Sequence, residues 1–357
     1  MTHELKFGAV KRNTVKLGAA ALALGLLTQA AAAESTVTLM AYSGLFQERY
    51  TKAVVEPFMK AHPDIKVTYF PVNSSAAMLG NLRAQKAAPQ ADVVIMDVSV
   101  SKAGTDESLF TKIDEANAPN VKDLYPTARI PDVAGVAVTF DNLVMLYNSD
   151  AVKEAPKSWM AMADKTYQGK VVIPGMPDIQ GLSLVIILNK ANGGTDYLKD
   201  VSKGIAAMVE IAPNIQTWEP KPEVYAPIVT GQASVGAGWN ARAQVNNQTS
   251  GGKLKATIPQ EGTVFQINTI NLIANGPGGD AAKTFVNYAL GPEAQKAFTE
   301  SMFYAPTNAK APISQDALDR TAVKFMDKVI PVDWIALAKV RDAIGEQWRR
   351  RVVPASR

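Results

Sequence analysis

The side chains able to bind or react collect where predicted strands end. The exposed ends are Tyr42–Phe46, Asn73–Ser75 and Asp97–Ser99, and farther on a strand Ser234–Trp239 stops at Asn240 with Arg242 just beyond. Aromatic rings, amides and a few acids in such places suit reversible contact with a small solute better than bond making. Trp239 offers apolar contact and a ring face attractive to a cation. Arg242 carries the planar fork that fits a carboxylate or phosphonate, if it turns inward rather than to solvent. Asp97 and Asp178 could serve a secreted lyase or hydrolase, but that chemistry needs two carboxylates with separated pKa values, and nothing in their spacing demands it. Each has a plainer role open to it: Asp97 as cap of the next helix, Asp178 as a turn residue after Pro177, Trp239 as core.

Other chemistries are missing. The chain has no cysteine, which removes disulfides, thiolate metal sites and cysteine nucleophiles. Its two histidines are His3 and His62, and His62 precedes Pro63, where a helix should end. There is no G-x-S-x-G elbow, H-E-x-x-H pair, Walker loop or EF-hand loop. Asn275-Gly276-Pro277-Gly278-Gly279 lacks the Gly-Lys-Ser/Thr of a phosphate loop and reads as a connector.

The elements that must hold these residues alternate. Thr36–Tyr42 and Ile65–Val72 read as strands, and Ala91–Met96 as a fully buried one. A helical stretch Gln47–His62 is interrupted at Pro57, and Ser74-Ser75 should cap a helix running to Lys86. This β-α-β-α-β order predicts a doubly wound α/β sheet, with ligands beyond the carboxyl ends of its strands. A second α/β region follows Val136–Asn148. It has strands at Lys170–Ile173, Ser234–Trp239 and Val264–Ala274, helices at Gly204–Glu210 and Glu223–Gly231, and an apolar run Gly181–Lys190 open to helix or strand. Asp333–Arg350 closes the chain as a helix with Trp334, Leu337, Val340, Ile344 and Trp348 on one face. At 357 residues, two domains are expected.

Residues 1–33 read as a secretory signal peptide. Lys6, Lys11, Arg12 and Lys16 precede the apolar run Leu17–Leu27, and Ala31-Ala32-Ala33 offers a cleavage site after Ala33. No later segment approaches 18 consecutive apolar residues. Removing the leader's four basic residues and one acid from 37 and 33 leaves 33 and 32, a net of +1. No basic stripe remains for nucleic acid.

Four stretches carry a resemblance: Val37–Tyr42 with Val55-Glu56-Pro57-Phe58; Ala91–Asp97; Gly238-Trp239-Asn240; and Pro259–Gly262 through Phe265 and Asn268 to Tyr304–Asn308. Together they resemble the periplasmic solute-binding proteins of ABC importers, in the subgroup of polyamine-, thiamine- and ferric-ion-binding members. The resemblance spans essentially the whole chain after the leader. It implies the type II two-lobe fold, each lobe a doubly wound sheet with the ligand in the cleft between. Lobe one would be residues 34–138 plus 270–303, and lobe two 139–269 plus 304–357. Strands would cross near Val136–Phe140, Ile267–Ile270 and Tyr304–Pro306. It further implies hinge closure on the ligand, delivery to permease subunits in the inner membrane, a monomer in the periplasm, and no cofactor, metal or nucleic acid.

The same resemblance points to ligand residues. Tyr42, Ser43 and Phe46 fall in the first loop, where aromatics sandwich an alkyl chain. Asp97 and Ser99 follow the third strand. Asp178 and Gly181 stand where two acids would hold an ammonium, Trp239 and Asn240 at an aromatic wall, Gln266 and Asn268 where an aromatic and an aspartate would be, and Tyr304 at a further aromatic contact. Gly181 and Asn268 depart from the polyamine pattern, because an ammonium leaving water needs an opposite charge. The ferric pattern of adjacent tyrosines is absent. A cationic amine is the leading expectation, with a small organic anion on Arg242 as the alternative.

Overall fold

A computed structural model of the chain describes residues 1–2, 35–221 and 223–356. The expected leader, beyond Met1 and Thr2, lies outside the described residues. The described strands are β1 (Ser35–Tyr42), β2 (Ile65–Val72), β3 (Val93–Asp97), β4 (Phe110–Thr111), β5 (Val136–Asn148), β6 (Val171–Val172), β7 (Ile215–Thr217), β8 (Val235–Trp239), β9 (Leu254–Thr257), β10 (Thr263–Ile273) and β11 (Val329–Ile330). They form a path in the order β2-β1-β3-β10-β5-β8-β6-β7, with β4 and β11 on β10 and β9 on β5.

Short parallel strands build each end of this path: β2-β1-β3 at one, β8-β6-β7 at the other. The two long strands between them run antiparallel to each other and to β3 and β8, while β11 joins β10 in parallel. β10 sets Asn268–Leu272 against β3, and both β10 and the second half of β5 reach toward the other end, where Leu143–Tyr147 pair with β8. Every residue of β5 is buried, including Thr139, Asp141, Asn142 and Asn148, which interrupt its apolar residues. A bridge between Phe140 and Ala305 adds a third connection near the expected crossings.

Local sequence accounts for the helices. Leu45–Tyr50 is α-helical, Thr51–Val55 makes a π turn, and Glu56–Ala61 resumes with Pro57 in its first turn, where a missing N–H costs little. Ser74 caps the helix Ser75–Ala84 by accepting from Ala77 N at 3.2 Å. The apolar run after Pro177 is the helix Ile179–Ala191, buried along most of its length. The helix expected over Glu223–Gly231 narrows to Tyr225–Val229. The C-terminal helix, Trp334–Ala355, is capped by Asp333 and buries Trp334, Leu337, Ile344, Trp348 and Val352. It packs on the helix Ser202–Ile211 and also touches the helix Val98–Asp106 that follows β3. No helix among the described residues is long and apolar enough to cross a membrane.

Candidate functional site

The carboxyl ends of β1 and β3 meet the crossing strand β10 through a chain of hydrogen bonds. Asp97 N donates to Ser75 Oγ at 3.0 Å, Ser75 Oγ meets the Tyr42 hydroxyl at 2.7 Å, and that hydroxyl donates to Asn268 Oδ1 at 3.0 Å. Asn268 Nδ2 then donates to Thr139 Oγ1 on β5 at 3.0 Å. Asn268 sits directly across from Asp97 in the β3–β10 register. Burial pushes the Tyr42 phenol well above its ordinary range, with the Asp97 charge adding to it.

Asp97 and Asp178 both cap helices. Asp97 Oδ1 accepts from Ser99 N at 2.9 Å and Ser99 Oγ at 2.6 Å, and Asp178 Oδ1 accepts from Gln180 N at 2.8 Å. Asp97 is thus the cap of the helix Val98–Asp106, which fixes the carboxylate at the helix start without consuming both oxygens. Burial raises both carboxyls above their usual range; their capping bonds and the charge of Arg341 pull the other way. Arg341 lies on the C-terminal helix and donates from Nη2 to the carbonyl of Pro177, beside Asp178.

A second group sits along the other edge of the crossing strands. Asp141 on β5 accepts from Asn142 N at 2.9 Å and from Ala241 N, at the start of the helix Asn240–Thr249, at 3.0 Å. Burial pushes its carboxyl up to about 7, against those donors and the Arg242 charge. Tyr304 and Tyr225, both buried, feel Asp141 and Arg242 as well, and burial raises both phenols far above their ordinary range. The Tyr225 hydroxyl closes the end of β8, accepting from Trp239 N at 3.0 Å and donating to Trp239 O at 3.1 Å. Trp239 itself is half-buried.

The expected residues divide in the structure. Tyr42, Asp97, Ser99 and Asn268 come together, Asp178 shares Arg341 with Asp97, and Tyr304, Arg242 and Trp239 gather around Asp141 and Tyr225. Gln266 is half-buried opposite Asp141. Ser43 donates to Asn73 Oδ1 at 2.7 Å in an exposed loop. Phe46 does not wall this space: it is 3% exposed and packs among Tyr50, Phe298 and Tyr304. Asn240 is likewise a strut, its Nδ2 donating to Arg320 O at 2.8 Å and Phe303 O at 3.3 Å. Arg242 is ion-paired to Glu223. An acid at Gly181 is sterically barred, because a Cβ there would lie 2.9 Å from Pro174 O.

Asp141, Tyr225 and Arg341 were not anticipated. Asp141 is the one acid in the apolar run of β5. Arg341 falls four residues after Leu337 and three before Ile344, in line with the apolar stripe. Among the described residues no group of three or more His, Asp or Glu gathers to hold a metal ion.

The family model described as bacterial extracellular solute-binding protein matches residues 53–324. The spermidine/putrescine-binding periplasmic protein of Escherichia coli is 26% identical over 309 residues, 83% of this chain and 84% of its own. The gamma-aminobutyric acid-binding protein of Pseudomonas aeruginosa is 27% identical over 225 residues, 61% of this chain and 62% of its own. Among solved structures, an ABC transporter substrate-binding protein from Bradyrhizobium japonicum superposes with a TM-score of 0.74 at 20% identity, covering 90% of this chain and 100% of its own. At that identity the likeness speaks to fold: two α/β lobes of the type II periplasmic binding proteins.

Proposed function

The chain belongs to the bacterial extracellular solute-binding protein family, and from that premise we propose that it captures a small amine-bearing solute in the cleft between its lobes and hands it to the permease of an ABC importer. The reading rests on one observation above the others. Asp97, half-buried at the end of β3, and Asp178, exposed at the head of the helix Ile179–Ala191, both feel the charge of Arg341, and burial of the Asp97 carboxylate makes a positive partner favourable there. Tyr42 supplies aromatic surface near Asp97, and Trp239 offers a half-buried ring at the end of β8. The curated relatives named above bind spermidine, putrescine or gamma-aminobutyric acid, and all three molecules carry an ammonium group.

In this reading the protein works as a periplasmic monomer after cleavage at Ala33, with no cofactor, catalysis or nucleic acid. Lobe one is residues 34–138 plus 270–303 and lobe two is 139–269 plus 304–357, and hinge closure presents the loaded form to the permease. An anion held by Arg242 is the weaker reading, because Glu223 already pairs with that guanidinium. Native mass spectrometry of freshly purified protein tests the proposal. A stoichiometric, unaltered amine is the expected companion; a bound solute with no basic nitrogen would overturn it.

A further inference from the structure

Arg341 stands where two carboxylates can share it. Its helix packs Leu337 into the same apolar cluster as Val98, the residue after Asp97. One turn on, the Arg341 guanidinium bonds the carbonyl of Pro177, the residue before Asp178. The exposed side chain therefore lies beside the equally exposed Asp178, on a helix that touches the one Asp97 caps, and its charge lowers the proton affinity of both acids. It forms no ion pair with a carboxylate among the described residues; a backbone carbonyl holds it.

The other charged groups facing this space do not alter the balance. Arg242 is neutralised by Glu223. Asp141 is held among backbone N–H donors and is not a fixed negative charge near neutral pH. Asn268, opposite Asp97, is a neutral amide, and the backbone of Pro174–Met176 bars a side chain at Gly181. Two acids and one arginine remain, a net of one negative charge.

We propose that Arg341 is a specificity residue: a resident counter-ion that answers one of the two carboxylates and sets the cleft for a solute with a single ammonium group rather than two. A dication entering the site brings one charge more than the acids can answer, and Arg341 repels it. The inference rests on the amine reading above and narrows it.

Two probes with the same carbon chain, 1-aminobutane and 1,4-diaminobutane, separate the cases by calorimetry on the protein from residue 34 onward. The wild type should bind the monoamine at least as tightly as the diamine. Arg341→Gln should improve diamine binding by about tenfold or more, the scale of one charge–charge interaction across a cleft, while the monoamine changes little. Arg341→Lys keeps the charge and should keep the wild-type order. If Arg341 only supports the Pro177 turn, Gln and Lys will weaken both probes alike, and the proposal fails. A wild type that prefers the diamine, with the ratio unmoved in Arg341→Gln, also overturns it. If neither probe binds the wild type or either variant, the amine reading itself falls, and this inference with it.

Discussion

The Tyr42 hydroxyl donates to Asn268 Oδ1 at 3.0 Å, and that bond ties the end of β1 to a strand running through both halves of the sheet. Asn268 is 2% exposed and uses both ends of its amide, Oδ1 toward Tyr42 and Nδ2 toward Thr139. Its removal leaves the buried Thr139 hydroxyl without its partner and the Tyr42 hydroxyl with Ser75 alone. Asn268→Ala should destabilise the fold by about 1–3 kcal/mol, read from urea unfolding. An unchanged midpoint would mean that water takes the place of the amide.

Asp97→Asn keeps a side chain able to cap the following helix, so the fold should survive. The amine loses a charged partner, and affinity for 1-aminobutane should fall by about 1.5–3 kcal/mol, tenfold or more in Kd. Equal affinity in calorimetry would move the ammonium away from β3.

Trp239→Ala removes a half-buried ring whose backbone is already secured by Tyr225. A folded variant should bind an amine about tenfold more weakly, from lost apolar contact and ring-face attraction. Unaltered binding would place the indole outside the contact surface.

Phe46→Ala should act on stability. The ring stacks on Tyr50 at 5.4 Å and meets Phe298 and Tyr304 edge-on, so truncation opens a cavity costing about 3–5 kcal/mol. Phe46→Leu should recover much of that loss in denaturant unfolding. A variant that keeps full stability would contradict the core assignment.

Asp141 gives a pH dependence of definite sign. Folding raises its pKa from 3.8 to about 7, so the folded protein holds the proton more tightly than the unfolded chain. The stability owed to this group is complete below the unfolded pKa and is lost as pH rises through about 7. Asp141→Asn keeps an acceptor for Ala241 N–H and should flatten that decline. Thermal midpoints recorded from about pH 5 to pH 8 make the comparison, and parallel curves for wild type and variant would refute it.

Much of this organisation is legible in the residues. Apolar runs ending in Tyr42, Asp97 and Trp239 mark strands whose ends face a cleft, because side chains at a strand terminus are released from the alternation of the sheet. Asp97 and Asp178 are legible as caps for the same local reason. Phe46 and Asn240 are not: each sits next to a cleft residue, and only packing with Phe298 or with the carbonyls of Phe303 and Arg320 decides which way it turns. Asp141 left a signal of another kind, a charge placed inside a buried strand. Such a charge needs a partner distant in sequence, and Ala241 N–H emerges only from the fold, as does the Pro177 carbonyl that holds the exposed Arg341.

Val98 follows a strand at one end of the sheet yet is 2% exposed in the cluster containing Trp334 and Leu337 of the C-terminal helix. In the hinge opening proposed above, that seam is wetted. Hydration of apolar surface adds heat capacity, and its cost shrinks on cooling. On the proposed hinge reading the empty protein should therefore stand ajar more often in the cold, and release of the solute would require Val98 to be peeled from the helix.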